Sequence, residues 1–153
     1  MLKLLLNLNP KDSQEGFTLI ELLITIVIIS ILSSIALPSL LKQSLKAQHA
    51  VARSHIGSVN RAQQAYRLGE KTFADNITLL GVGVPLNTDE YNFSFGITNA
   101  TIAEFKATPT NNDLSAFTGC THANIVAGHD ANTYSGIQEE SANFSSLAVP
   151  PNC

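Results

Sequence analysis

One uninterrupted apolar run limits what this chain can become. From Phe17 to Leu41 there are 25 residues, and Glu21 is the only charged one among them. At ~1.5 Å of rise per residue the run makes a helix of roughly 37 Å, longer than the about 30 Å of a bilayer's hydrocarbon layer. A helix apolar on all sides and this long reads as a membrane span, not as the core helix of a 153-residue protein. The carboxylate of Glu21, just inside the start, is the anomaly. An ionisable side chain near the centre of a membrane helix costs on the order of 3 kcal/mol, less near an end, so one that is kept has a partner or a task.

The flanks decide how the run is processed. Residues 1–16 are polar in their second half (Asn9-Pro10-Lys11-Asp12-Ser13-Gln14-Glu15) and end in Gly16. A secretory signal places its cleavage site after the apolar core, behind small residues. Here Leu40-Leu41 passes directly into Lys42-Gln43-Ser44, so the expected cut lies before the run. Gly16-Phe17-Thr18-Leu19-Ile20-Glu21-Leu22-Leu23 closely resembles the class III leader junction of type IV prepilins and the related pseudopilins. The resemblance implies that a prepilin peptidase cuts between Gly16 and Phe17 and methylates the new amino group of Phe17. It also implies that Glu21 serves subunit assembly, by meeting the N-terminus of a neighbouring copy. The chemistry is consistent: a free α-amine with a pKa of about 8 is largely protonated at neutral pH. A carboxylate and an ammonium each lose much of their desolvation penalty when they meet. An uncleaved single-pass anchor with an incidental Glu21 is the plain alternative.

Pro38 sits inside the expected helix. Its ring crowds the carbonyl of Ser34 and it lacks an N–H, a loosening of roughly 3 kcal/mol. Ser30, Ser33 and Ser34 stand just upstream, where hydroxyls can bond freed carbonyls. In pilins a proline at the matching place accompanies a segment that unwinds and stretches in the filament, and the resemblance assigns Ser30–Ser39 to it. A static kink is the alternative.

Beyond Leu41 the helix changes character. Leu45, Ala52, Ile56, Val59, Ala62 and Tyr66 make an apolar stripe on an otherwise polar helix, which Gly69 is expected to cap. The helix is expected over Phe17–Leu68. Its second half needs a surface to pack on, and the rest of the chain must supply it. Asp75 reads as the N-cap of a short turn Asn76–Leu80 ended by Gly81. Tyr91, Phe93, Phe95 and Ile97 alternate with polar residues as a strand, and Thr98-Asn99-Ala100 turns the chain. A second strand carries Ala103, Phe105 and Ala107 and ends before Pro109. Leu114–Thr118 is a candidate third strand, and Ala123–Val126 or Thr133–Ile137 a fourth. The fold class is therefore α+β: a long N-terminal α-helix, membrane-spanning in its first half and amphipathic in its second, packed on a small antiparallel β-sheet. That matches the architecture the pilin resemblance implies. Arg61-Ala62-Gln63-Gln64-Ala65-Tyr66 and Thr72-Phe73-Ala74 look most like pilins of the cyanobacterial kind. The expected division is a leader over 1–16, a transmembrane or filament-core helix over 17–41, its amphipathic continuation over 42–68, and a head over 69–153.

Charge is unevenly distributed. Lys42–Lys71 holds six basic residues against Glu70 alone, whereas Thr72–Cys153 holds Lys106 alone against eight acids. A basic helix beside a membrane suits lipid head groups or nucleic acid. Complementarity with acidic surfaces of neighbouring subunits, plus ordinary solvation, is the plainer account, because no aromatics interleave the cations. Counting positive charges alone does not place the N-terminus in the cytoplasm; the cysteines and the resemblance place the head outside.

Cys120 and Cys153 are the only cysteines. The resemblance implies a disulfide between them, since pilins commonly staple a C-terminal region; two free thiols are the alternative. By chain entropy such a bridge contributes ~3.8 kcal/mol. His122 and His129, with Asp130, read as solvated loop residues, His49 and His55 as helix surface, and Glu139-Glu140 as a loop pair. Asn-x-Ser/Thr triplets at Asn76, Asn92, Asn99 and Asn143 are what chance gives in so Asn/Ser/Thr-rich a chain. No metal site, cofactor loop or catalytic constellation stands out, and the chain reads as no enzyme. What the resemblance implies is a type IV pilus subunit, held as a single-pass protein of the inner membrane and then polymerised into an extracellular fibre. Its partners would be the peptidase, other pilin subunits and the assembly machinery. A minor pilin or a type II secretion pseudopilin shares this N-terminal chemistry, although the cysteine pair favours pili over pseudopilins, which more often use a calcium loop. A membrane-anchored adhesive domain that never polymerises is a third reading.

Overall fold

The computed structural model describes residues 16–126, 129–142 and 146–153, and the side chains of 126 and 129–131 are outside that description. Residues 1–15 of the expected leader, the Asn143 triplet and the side chains of His129 and Asp130 therefore lie outside the described residues. The elements run α1 (Leu19–Gly69), α2 (Ile77–Leu80), β1 (Tyr91–Thr98), β2 (Ile102–Pro109), β3 (Ala116–Val126) and β4 (His129–Glu140). Two compact units divide the chain, the first ending at Leu40 and the second spanning Leu41–Cys153.

In the second unit the four strands form one antiparallel sheet in the order β1-β2-β3-β4. The later turns of α1 cover one face of it. Ala52, Ile56 and Val59 are fully buried against Tyr91, Phe93, Phe105, Ala107, Leu114 and Phe117. The helix can come this close because β3 carries Gly119 beneath it: a Cβ there would lie 2.3 Å from Ile56 Cγ2. Toward its end the buried stripe turns polar, taking in Asn60, Gln63 and Arg67, while Ala62 and Tyr66 of the expected stripe are only half-buried. Backbone partners explain that shift. Gln63 donates to Ala74 O (2.6 Å) and accepts from Ala74 N (2.9 Å), and Asn60 donates to Gly136 O (3.0 Å). The Arg67 guanidinium lies 5.2 Å from the Phe73 ring centroid.

The sheet's opposite face is covered by the chain's own tail. Pro151, Asn152 and Cys153 lie across β2 and β3, where Thr118 Oγ1 donates to Pro151 O (2.6 Å), Lys106 Nζ donates to Asn152 Oδ1 (2.6 Å) and Cys120 is disulfide-bonded to Cys153. Glu104, directly opposite Cys120 in register, accepts from Cys153 N (2.9 Å) and Ile97 N (3.1 Å), with Lys106 Nζ at 3.2 Å.

Several expectations need correction. The helix runs through Gly69, so Gly69 lies in its last turn; among the described glycines only Gly81 has a left-handed φ (+62°). The cap of α2 is Asn76, whose Oδ1 accepts from Thr78 N, not Asp75. The third strand begins at Ala116 and absorbs Ala123–Val126, and Thr133–Ile137 belongs to a twelve-residue β4 that also contains Glu139 and Glu140. The cause is that Ala116–Thr121 is buried on both faces, between helix and tail, so it shows no alternation. His122 is likewise a strand residue, stacked on Tyr134 with ring centroids 5.0 Å apart. His49 and His55 are half-buried; His49 Nε2 accepts from Ser115 N (3.2 Å).

Candidate functional site: the apolar helix and its first turn

The functional reading of the sequence rests on the first turns of α1. Gly16 and Phe17 precede the helix and are exposed, Phe17 at 79%. Thr18 is the residue that starts it. Its carbonyl accepts from Leu22 N (3.2 Å) and its hydroxyl accepts from Glu21 N (3.3 Å). Thr18-Leu19-Ile20-Glu21 thus has the spacing of a capping box, a signal present in the sequence that the leader motif overshadows. Glu21 stands in the first helical turn, where the free N–H groups and the helix dipole favour a carboxylate. Its position is consequently less costly than the same charge would be deeper in the run.

Every residue from Phe17 to Leu41 is exposed, including Leu19 at 83% and Ile35 at 74%. An apolar surface so large and continuous marks a binding or membrane face. By length and composition α1 can cross a membrane. Two of its hydroxyls turn onto the helix itself: Thr25 Oγ1 donates to Leu22 O and Ser30 Oγ to Ile26 O, both at 2.7 Å. Ser30 therefore does not cap the carbonyl that Pro38 leaves free on Ser34. Pro38 lies within unbroken helix, and so does the whole of Ser30–Ser39.

The second unit adds an electrostatic feature. Arg53 forms an ion pair with Glu139 and lies 5.0 Å from the centroid of the Phe117 ring, and Lys46, His49, Ala50 and Arg53 line an open cleft. Burial pushes the His49 imidazole below its usual pKa, Glu139 pulls the other way, and Arg53 adds to the lowering. Of the triplet asparagines, Asn76 caps α2, and Asn99 Oδ1 accepts from Thr101 N and Ile102 N in the β1–β2 turn. Among the described residues no group of three or more His, Cys, Asp or Glu is placed to hold a metal ion.

A helix with an exposed apolar first half, carried by a chain whose second unit folds its helical turns onto a small antiparallel sheet, is the α+β arrangement of the pilin-like class. The chain belongs to the type IV pilin-like G and H family, whose model matches residues 49–152, and a prokaryotic N-terminal methylation motif matches residues 11–37. It is similar to the type IV wide pilus major component PilA4 of Thermus thermophilus, with 33% identity over 56% of this chain and 65% of that protein. It is also similar to the type IV major pilin protein PilA of Myxococcus xanthus, with 32% identity over 48% of this chain and 32% of that protein. Type II secretion system core protein G of Escherichia coli is 40% identical over 40% of this chain and 42% of its own length. The chain thus spans less than two thirds of the length of each of these relatives.

Proposed function

We propose that this chain is a non-catalytic structural subunit of a type IV pilus, held in the inner membrane by α1 and polymerised through it into an extracellular fibre. The observation that carries the reading is the fully exposed apolar length of α1, most of it inside the match to a methylation motif, with a single acid in its first turn. On this reading residues 1–16 are a leader removed by prepilin peptidase between Gly16 and Phe17, and Phe17 is N-methylated. Residues 17–41 form the membrane span and later the fibre core, 42–68 the helical bridge, and 69–153 the outer head. Glu21 compensates the positive N-terminus of a neighbouring copy, and both charges escape part of their desolvation cost on burial. Pro38 marks the segment that loosens when the fibre stretches. Partners are other copies of the chain and the pilus assembly machinery.

Mass spectrometry of fibres sheared from the cell surface tests this, with the expected result that methylated Phe17 begins the dominant chain. Fibres whose chains start at Met1 would overturn the leader assignment. Glu21→Ala is expected to leave membrane insertion intact and to abolish sheared fibre; a normal yield from that variant would remove Glu21 from assembly. The likeness to a type II secretion core protein favours a second reading, a pseudopilus subunit. In that case secretion, not surface fibre, is lost with the gene.

A further inference from the structure

The face of α1 just beyond the apolar run is basic, and only part of it is engaged within the chain. Lys42, Lys46, His49 and Arg53 follow one another at steps of four, three and four, which places them on one helix face. His49 and Arg53 are engaged within the chain, by Ser115 N and by Glu139. Lys42 and Lys46 are exposed and make no ion pair among the described residues. On the translocated side, where the pilus reading puts them, such cations run against the usual bias toward the cytoplasm.

The register of the sheet gathers the opposite charge at one end. Tyr91 lies opposite Pro109 and Ala116 opposite Glu140. Asp89 and Glu90 immediately precede β1, Asp113 lies in the β2–β3 connection, and Thr110 Oγ1 bonds the carbonyls of both Asp89 and Glu90. Glu139 and Glu140 close β4 at the same end. Of these five acids only Glu139 has a cation partner among the described residues; Asp89, Asp113 and Glu140 are exposed.

We infer that the Lys42–Lys46 face of one copy docks against the carboxylate rim of a neighbouring copy, Asp89, Asp113 and Glu140, and so fixes the stagger of adjacent subunits together with Glu21. Two different, mutually complementary surfaces on one chain make a head-to-tail contact, the kind that propagates into an open filament instead of closing a dimer. The inference rests on the pilus reading and names the partner surface within it.

Charge exchange tests it, in cells making the full chain. Lys42→Glu with Lys46→Glu, and separately Asp89→Lys with Asp113→Lys and Glu140→Lys, should each cut sheared fibre by at least about tenfold, because like charges then face each other across the contact. Membrane-held, oxidised subunit should stay at the wild-type level in both. Cells carrying the two sets together on one chain should recover most of the fibre. Wild-type yield from either set alone would overturn the proposal, as would failed recovery while the combined variant remains oxidised. If the triple change prevents oxidation of the chain, Lys46→Glu alone against Lys46→Glu with Glu140→Lys asks the same question, and no recovery there also overturns it. Loss of retention on phosphatidylglycerol vesicles with fibre yield unchanged would assign the basic face to lipid instead. Absence of wild-type fibres altogether defeats the pilus reading itself, an outcome distinct from all of these.

Discussion

At Glu104 three donors converge on one carboxylate that is 1% exposed. Burial alone would raise its pKa, but the hydrogen bonds from Cys153 N and Ile97 N and the Lys106 ammonium outweigh it and hold the group below the ordinary carboxylate value. A carboxylate depressed in the fold binds its proton more readily when unfolded, so stability rises with pH through that interval. The contribution is complete above the unfolded value of about 4.3 and is lost as pH falls through the folded pKa. Denaturant melts of the oxidised chain should therefore weaken as pH falls below about 4.3. Glu104→Gln should flatten that dependence, and an unchanged acid limb would remove Glu104 as its source. Glu104→Ala strands buried donors and should cost about 3 kcal/mol at pH 7. His49 acts in the same direction at higher pH. Its folded pKa is lowered, so its contribution is present above about 6.5 and fades as pH falls through the folded value.

Among the elements, α1 comes close to β3 at Gly119. Gly119→Ala would drive a methyl group into Ile56 and Asn60, and overpacking of this kind costs about 1–3 kcal/mol. The midpoint of thermal unfolding should fall for Gly119→Ala and stay near wild type for Gly136→Ala, where a Cβ meets nothing within 4 Å. How far the sequence disclosed this packing depended on how many faces an element buries. The start of β1 and the apolar stripe through Ala52, Ile56 and Val59 follow from periodicity, because each has one wet side. β3 has none along Ala116–Thr121, so polar Thr118 and Thr121 sit in its interior beside Phe117 and no alternation remains to be read. Gln63 and Glu104 were invisible for a related reason: their partners are backbone atoms of distant segments, and a polar residue type does not announce them. The N-terminal motif was legible residue by residue, whereas the cap at Thr18 needed the helix start to be seen.

For the chain as a whole, the tail is held covalently, by hydrogen bonds from Thr118 and Lys106, and by the one that Cys153 N donates to Glu104. Cys120→Ser with Cys153→Ser should therefore destabilise by up to about 4 kcal/mol without releasing the tail completely. Protease digestion at neutral pH would show partial, not full, loss of protection of residues 146–153. The exposed half of α1 has a different consequence. Thr25 and Ser30 already spend their hydroxyls on carbonyls of the same rod, so the rod asks no hydrogen bond of whatever surrounds it along those turns. Oil and a neighbouring greasy rod are then nearly interchangeable as solvents for that stretch, and its sole charge sits in the first helical turn. On the pilus reading, such a subunit could pass from a bilayer into a fibre core at small cost.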